Sequence, residues 1–585
     1  MIDLVPYGRP AREALAARIA AEKALDPLAP VTVIVPSNYS GLSVRRALAA
    51  SVPVVNVHFM VAPRLAELLG GPALAAEGRR PLPPWVRFQA VRAALAESPG
   101  VFTDVAAHPA TARDLQRVFA ELREVSSPSL DRLARTSRRA ADVVRLYHRF
   151  LALTGDFFDE IDLMGSATRS VGAATAEDTG AIVLYLPRKL APALERFLAA
   201  AAAAQLPVHA VLGLTGDEAV DAVTAAIADR LPSAGPPTRS EAAEPGVPRI
   251  VSATAPEEEV REAPRQAMAL VAGGTPLHRI AITYGSRENY AGLLDDALTS
   301  AGLPHNGPPT RTLAQTVPGQ TLLGLPRIAA SSAPGDPGYA RDVVMDWLTA
   351  APIHHGGHEA PSHRWDEISR EAGVVKGADQ WDSRLELHAA GQEERALALG
   401  IDGESTYTRN ARWARGLRAF IAELRNELGT DENARAGVHA GRALTWLDAY
   451  LPEKSLTDEA QLDAREQVKR QLEEIASLGS ALPPALDPVI SRGAFAVALE
   501  EALSAPFGRV GKLGEGVFTG PLTLVGEMEW EAVIVLGMVE RVLPSGSRDD
   551  PILTTEERGA AGGELPPGGA PPTDQRRAYL AALHS

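Results

Sequence analysis

The chain has 585 residues, too many for one hydrophobic core, so roughly two to four domains are expected. It contains no cysteine, which excludes disulfides, thiolate metal sites, iron–sulfur clusters and cysteine nucleophiles from these residues. A net charge of −15 argues against a nonspecific nucleic-acid coat protein but leaves room for a locally basic channel.

The apolar fraction, 45%, is ordinary for a globular protein, and no apolar run approaches the ~20 residues a membrane helix needs. Met1-Ile2-Asp3-Leu4-Val5-Pro6 lacks the basic and apolar regions of a signal peptide, so a cytoplasmic protein without membrane contact is expected.

In chain order, residues 11–25 carry helical periodicity. Val31-Thr32-Val33-Ile34-Val35 is a β-branched run between prolines, the mark of a buried parallel strand. Pro36-Ser37-Asn38 then opens a helix over 41–50. Residues 54–59 read as the next strand and 64–69 as a helix, which makes a βαβ pattern. Residues 84–153 read as wholly helical, and buried strands return at 181–186 and 208–212. A helical insert therefore interrupts an α/β domain. Residues 231–248, rich in Pro, Ala, Ser and Glu, read as an exposed linker.

A second α/β unit opens at residues 249–253. Glu257, Glu258 and Glu259 follow Pro256 in a first helical turn, where acids suit the helix dipole. Residues 278–284 read as a strand and 287–301 as a helix. Residues 338–503 are helical again, and strands resume at 522–525 and 533–536. Asp156-Phe157-Phe158-Asp159-Glu160-Ile161-Asp162 is acidic but falls inside a helical pattern. His354, His355, His358 and His363 lie among Gly and Pro and read as polar loop histidines, so no metal is expected.

Gly526-Glu527-Met528-Glu529-Trp530, a buried strand ending at Leu536, and Gly537-Met538-Val539-Glu540 before Pro544 form a polar turn, strand and exit loop. This sequence resembles the second motor domain of superfamily 1 helicases of the UvrD/RecB type. Residues 279–287, the packing element Leu293-Leu294, Leu298 and Ala301-Gly302-Leu303-Pro304-His305, and residues 574–585 resemble further motifs of that superfamily. Val31 to Pro36 with Arg45-Arg46, Asn56-Val57-His58-Phe59 and Val344-Met345-Asp346-Trp347-Leu348 are similar to its AddB/RecC-like branch.

The resemblance implies two RecA-like (P-loop-type) parallel-sheet domains, each interrupted by a helical insertion. The first domain would be 1–83 with 154–235, its insert 84–153, the linker 236–248, the second domain 249–335 with 510–585, and its insert 336–509. It also implies a nuclease domain of the PD-(D/E)XK family beyond these residues, so a fragment or a nuclease-less member is expected.

The motor chemistry is missing from the places where the resemblance puts it. A phosphate loop needs a glycine-rich turn, a lysine and a hydroxyl for Mg²⁺. Pro6-Tyr7-Gly8-Arg9-Pro10-Ala11-Arg12 offers one glycine, a proline without N–H and no Lys-Ser/Thr pair. Gly8, Arg9 and Arg12 are thus degenerate nucleotide-loop positions, with Arg12 able at most to hold an anion. The strand that should end in acids ends in Pro187-Arg188-Lys189. The arginine-finger position falls on Ser585.

No catalytic residue and no cofactor are expected. The resemblance implies a non-hydrolysing subunit that binds and guides DNA beside a helicase–nuclease partner during double-strand-break repair. Arg45, Arg46, Arg138, Arg139 and Arg287 are the candidate phosphate contacts. Arg138 and Arg139 belong to an arginine-rich stretch from Arg113 to Arg149, for which solvated helix faces are the alternative. A residual ATP-binding motor and a purely architectural docking protein are the competing expectations.

Overall fold

The computed structural model describes residues 1–49, 54–233, 235–240, 246–329, 338–401, 403–428, 433–479, 482–545, 550–566, 568 and 572–584. The chain forms two units. The first comprises 1–82, 94–310 and 509–585, the second 83–93 and 311–508.

Among the described residues the first unit holds two main parallel sheets and one short parallel pair, Arg80–Pro81 with Phe157–Phe158. The larger has six strands: β1 (Ile2–Pro6), β2 (Val31–Ile34), β3 (Val57–Met60), β4 (Ala181–Tyr185), β5 (Val208–Leu214) and β6 (Thr238–Arg239), in the order β3-β2-β4-β5-β1-β6. Every pairing is parallel. Strand side chains alternate between faces, and both faces of this sheet are covered by helices, so its central strands β2, β4 and β5 are mainly apolar, whereas the edge strand β6, Thr238–Arg239, is polar and exposed. Val31, Val33 and Val183 pack with Leu15, Ile19 and Leu48 of the helices Arg9–Glu22 and Asn38–Ala49. Ile34, Ile182 and Leu184 pack on the other face with Leu65, Phe197 and Leu198 of the helices Ala62–Ala76 and Pro192–Ala203.

The second sheet has four strands: β7 (Ile280–Tyr284), β8 (His305–Asn306), β9 (Val517–Pro521) and β10 (Ala532–Leu536), in the order β8-β9-β7-β10, again all parallel. The helices Pro256–Ala272 and Arg287–Ser300 cover one face through Val260, Ala263, Leu294 and Leu298. Gly302, at φ 66°, closes the second of these helices, and the Leu303 N–H returns to the Leu298 carbonyl at 3.0 Å.

The helices Pro109–Leu122, Ser127–Ala134 and Arg138–Leu153 form the first insert around Leu115, Phe119, Leu133 and Tyr147. Among the described residues the second unit is mainly helical, with two two-residue β-pairs and an isolated bridge between Ala434 and Ile490. Trp347, Trp365, Trp381 and Phe420 fill its core, and the Trp381 indole donates to the Tyr339 carbonyl at 2.8 Å. The helices Ala378–Ala398 and Thr406–Leu428 run antiparallel, tied by Arg415–Glu393 at 2.5 Å and Arg418–Asp382 at 2.7 Å. Among the described residues no helix is long and apolar enough to cross a membrane.

Several local expectations are corrected. Residues 522–525 are a one-turn helix, because Pro521 ends β9 and stands at the helix start. The third strand begins only at Val57, since Asn56 at φ 55° and a Val57 N–H to Val54 carbonyl bond turn the chain before it. Residues 249–253 are exposed chain with no strand pairing. The stretch 231–248 is more than a linker, because Thr238–Arg239 pairs with β1; residues 234 and 241–245 lie outside the described residues. The acidic run 156–162 is not helical throughout. Phe157–Phe158 pairs with Arg80–Pro81, and Asp159 caps the helix Glu160–Arg169 in a capping box with Asp162.

Candidate functional site

In an open parallel sheet, ligands bind outside the carboxyl ends of the strands. That edge of the six-stranded sheet is built from the loops after β1, β2, β4 and β5. After β1 the Tyr7 ring lies over Gly213 of β5, where a side chain would overlap it. Burial lifts the Tyr7 phenol to about 12. Gly8, at φ 75°, starts the helix Arg9–Glu22, whose first turn includes Pro10. Ser37 follows β2 and Arg188 follows β4.

The edge is filled from within the chain. The turn before β10 reaches it with two carboxylates. Glu529 accepts from Arg12 Nε at 2.5 Å, with both side chains about one-fifth exposed. Glu527, buried, accepts from Arg188 and from the Ser37 hydroxyl at 3.2 Å. Burial pushes the Glu527 carboxyl up to about 7, against the opposing pull of Arg188, Ser37 and Arg577. The helix Pro572–His584 supports the arrangement. Arg577 donates to the Arg188 carbonyl, Arg576 pairs with Asp217 after β5, and His584 contacts the Thr215 carbonyl at 3.0 Å.

A cavity of about 340 Å³ adjoins the turn, lined by Gly8, Arg46, Tyr185, Arg279, Glu529 and Trp530 among others. Its charges are mixed, so it presents no concentrated field for a polyphosphate. Trp530 is fixed there by stacking on Phe518 at 5.2 Å and by donating to the Val525 carbonyl at 3.1 Å.

The nucleotide-loop residues therefore separate. Arg12 is held by Glu529, whereas Arg9 pairs with Glu13 one turn along its own helix and is exposed. Lysine and Ser/Thr are absent from this loop. Ser585 lies outside the described residues.

The candidate phosphate contacts are not brought together. Arg45 is exposed, makes no hydrogen bond or ion pair among the described residues, and faces an open groove along β3 that also carries His58, Phe59 and Arg64. Arg46 donates to the Leu513 carbonyl at 2.5 Å. Arg287 donates to the Pro309 carbonyl at 2.6 Å. Arg138 is exposed without a hydrogen bond or ion pair among the described residues, but Arg139 pairs with Glu557 at 2.9 Å.

Much of the arginine-rich stretch is likewise engaged within the chain. Arg123 binds Asp159 at 2.7 Å and Asp162 at 2.8 Å, and Arg117 reaches Asp550 at 3.1 Å. Segment 550–566 docks on this insert through buried Arg558, which meets Asp550 at 2.6 Å and Glu121 at 2.5 Å.

His354, His355 and His358 sit on a two-strand hairpin turned by Gly356 and Gly357, both at positive φ, with His355 Nδ1 at 3.2 Å from Glu423. Among the described residues no group of three His, Cys, Asp or Glu could hold a metal ion.

In the sequence Arg188 reads as the loss of an acid; nothing local marks Glu527 as its complement or Glu529 as that of Arg12. The signal was the pairing of a basic strand end with an acidic turn about 340 residues later, which only the fold brings together. The chain matches no protein-family model and no curated protein.

Proposed function

We propose that the chain is a non-hydrolysing, helicase-fold subunit or fragment of the AddB/RecC-like type, with two RecA-like domains, which binds and guides DNA beside a catalytic helicase–nuclease partner. One observation carries the non-hydrolysing part. Where a motor would hold phosphate and Mg²⁺, Arg12 and Arg188 are occupied by the chain's own Glu529 and Glu527. A nucleotide would have to displace two internal contacts and would find no lysine, serine or threonine in the loop 6–12. This favours an inert fold over the residual motor.

The DNA-guiding part rests on the two parallel sheets with helical insertions and on Arg45, whose groove lining contains two arginines and no carboxylate. Arg64 in that groove leans on Glu67 at 2.6 Å, leaving Arg45 as the open cation. Phosphate contact there would be sequence-independent and salt-sensitive. The internal pairing of Arg117, Arg123 and Arg139 favours the second reading, an architectural docking protein, for the insert itself.

The test is fluorescence anisotropy of a forked DNA duplex at low and moderate salt, with and without Mg-ATP. Salt-sensitive binding indifferent to ATP is expected. Binding that ATP changes would restore the motor. Absence of binding at low salt would leave the docking protein.

A further inference from the structure

The turn Gly526–Glu531 does more than fill an edge. Its two acids, two residues apart, engage loops from separate strands: Glu527 meets Ser37 after β2 and Arg188 after β4, and Glu529 meets Arg12 after β1. In the order β2-β4-β5-β1 these loops span three strand spacings, roughly 14 Å of sheet edge. The turn leads directly into β10 of the other sheet, so every one of these bonds ties one sheet to the other.

The turn is also supported from behind. A Cβ on Gly526 would lie 2.6 Å from the Ala581 Cβ, so the helix Pro572–His584 sits against it, and the same helix fixes the Arg188 loop through Arg577. Tyr39, beside Ser37, adds an edge-on contact with Phe518 at 5.7 Å, which in turn stacks on Trp530.

We infer that this turn is an intramolecular latch that holds the two parallel sheets in one closed arrangement without any ligand. Arg12 and Arg188 supply the hydrogen-bond donors on one sheet, Glu527 and Glu529 the acceptors leading into the other, and the helix Pro572–His584 keeps both in register. The latch acts between the two sheets and needs no DNA.

The absence of cysteine makes a direct measurement possible. Spin labels are placed at exposed positions on the two sheets' helices, Ala17→Cys and Thr299→Cys, and the distance between them is read by double electron–electron resonance. The parent should give one narrow distribution, unchanged by Mg-ATP. Arg12→Glu should broaden or lengthen it, because Glu529 then faces a like charge. The charge-swapped double variant Arg12→Glu/Glu529→Arg should restore the narrow distribution.

A parent distribution that is already broad, or that shifts with Mg-ATP, would overturn the latch. So would an Arg12→Glu variant that keeps the parent distribution. If Arg12→Glu fails to fold, the swapped variant decides: recovery of folding and of the parent distance supports the latch, and a folded swap with a broad distribution overturns it. Since no DNA is present, failure here leaves the DNA-guiding reading untouched.

Discussion

Glu527→Gln isolates the cost of burying a carboxylate at the sheet edge. Burial lifts this group from 4.5 to about 7. The folded chain thus keeps the Glu527 proton to higher pH than the unfolded chain does. The resulting stability is fully present below pH ~4.5, declines as pH rises, and is lost above pH ~7. At about 1.4 kcal/mol per decade the whole displacement corresponds to about 3 kcal/mol, of which about 2–3 kcal/mol falls between pH ~5 and pH ~8. The amide of the variant keeps one oxygen for Arg188 and turns its NH2 to the Ser37 hydroxyl, which can accept, but it cannot ionise, so it escapes this loss. Urea unfolding of parent and variant at both pH values gives the double difference, in which all other titrating groups cancel. The variant should gain about 2–3 kcal/mol on the parent in going from the lower to the higher pH. Equal pH dependence of the two proteins, within ~0.5 kcal/mol, would show that Arg188 fully compensates the buried charge and that burial of Glu527 adds no pH-dependent cost.

Arg12→Ala should cost about 1–3 kcal/mol by orphaning part-buried Glu529, with no change in the heat of Mg-ATP addition by calorimetry. Arg558→Ala should cost about 3–5 kcal/mol in urea unfolding, because it leaves buried Asp550 without its closest cation. In the second unit, Trp381→Ala should cost about 3–5 kcal/mol by the same assay, through a large cavity and an unmet Tyr339 carbonyl. Arg45→Ala should lower the salt slope of DNA binding by about one, whereas Arg139→Ala, which breaks a pair with Glu557, should change stability and leave that slope alone.

The parallel α/β character was legible because β-branched runs such as Val31–Ile34 and Ala181–Tyr185 are apolar on both faces, which only a doubly covered sheet requires. The helical stretches were legible for a similar reason, since periodicity is a local property. Boundaries were less so. Pro521 turned an apolar run that reads as a strand into a single helical turn, and Asn56 delayed β3 by three residues. Propensity over four residues is too weak to outvote one proline or one left-handed residue.

The site divides the same way. Residue identity alone shows what loop 6–12 lacks, a lysine and a serine or threonine, and places the basic pair Arg188-Lys189 just after the apolar run 181–186. These absences are facts of residue identity and need no fold. What occupies the edge was decided only by tertiary structure. Glu527 and Glu529 lie more than 300 residues from Arg188 and more than 500 from Arg12, and only the packing of β10 beside β7, backed by the helix Pro572–His584, brings their carboxylates to those guanidinium groups. Likewise, nothing local separates Arg45 from Arg139. Both are arginines on amphipathic helices, and it is the distant Glu557 that engages one while the other is left facing its groove. Charge pairing acts over a few ångströms in space, and sequence distance does not report it.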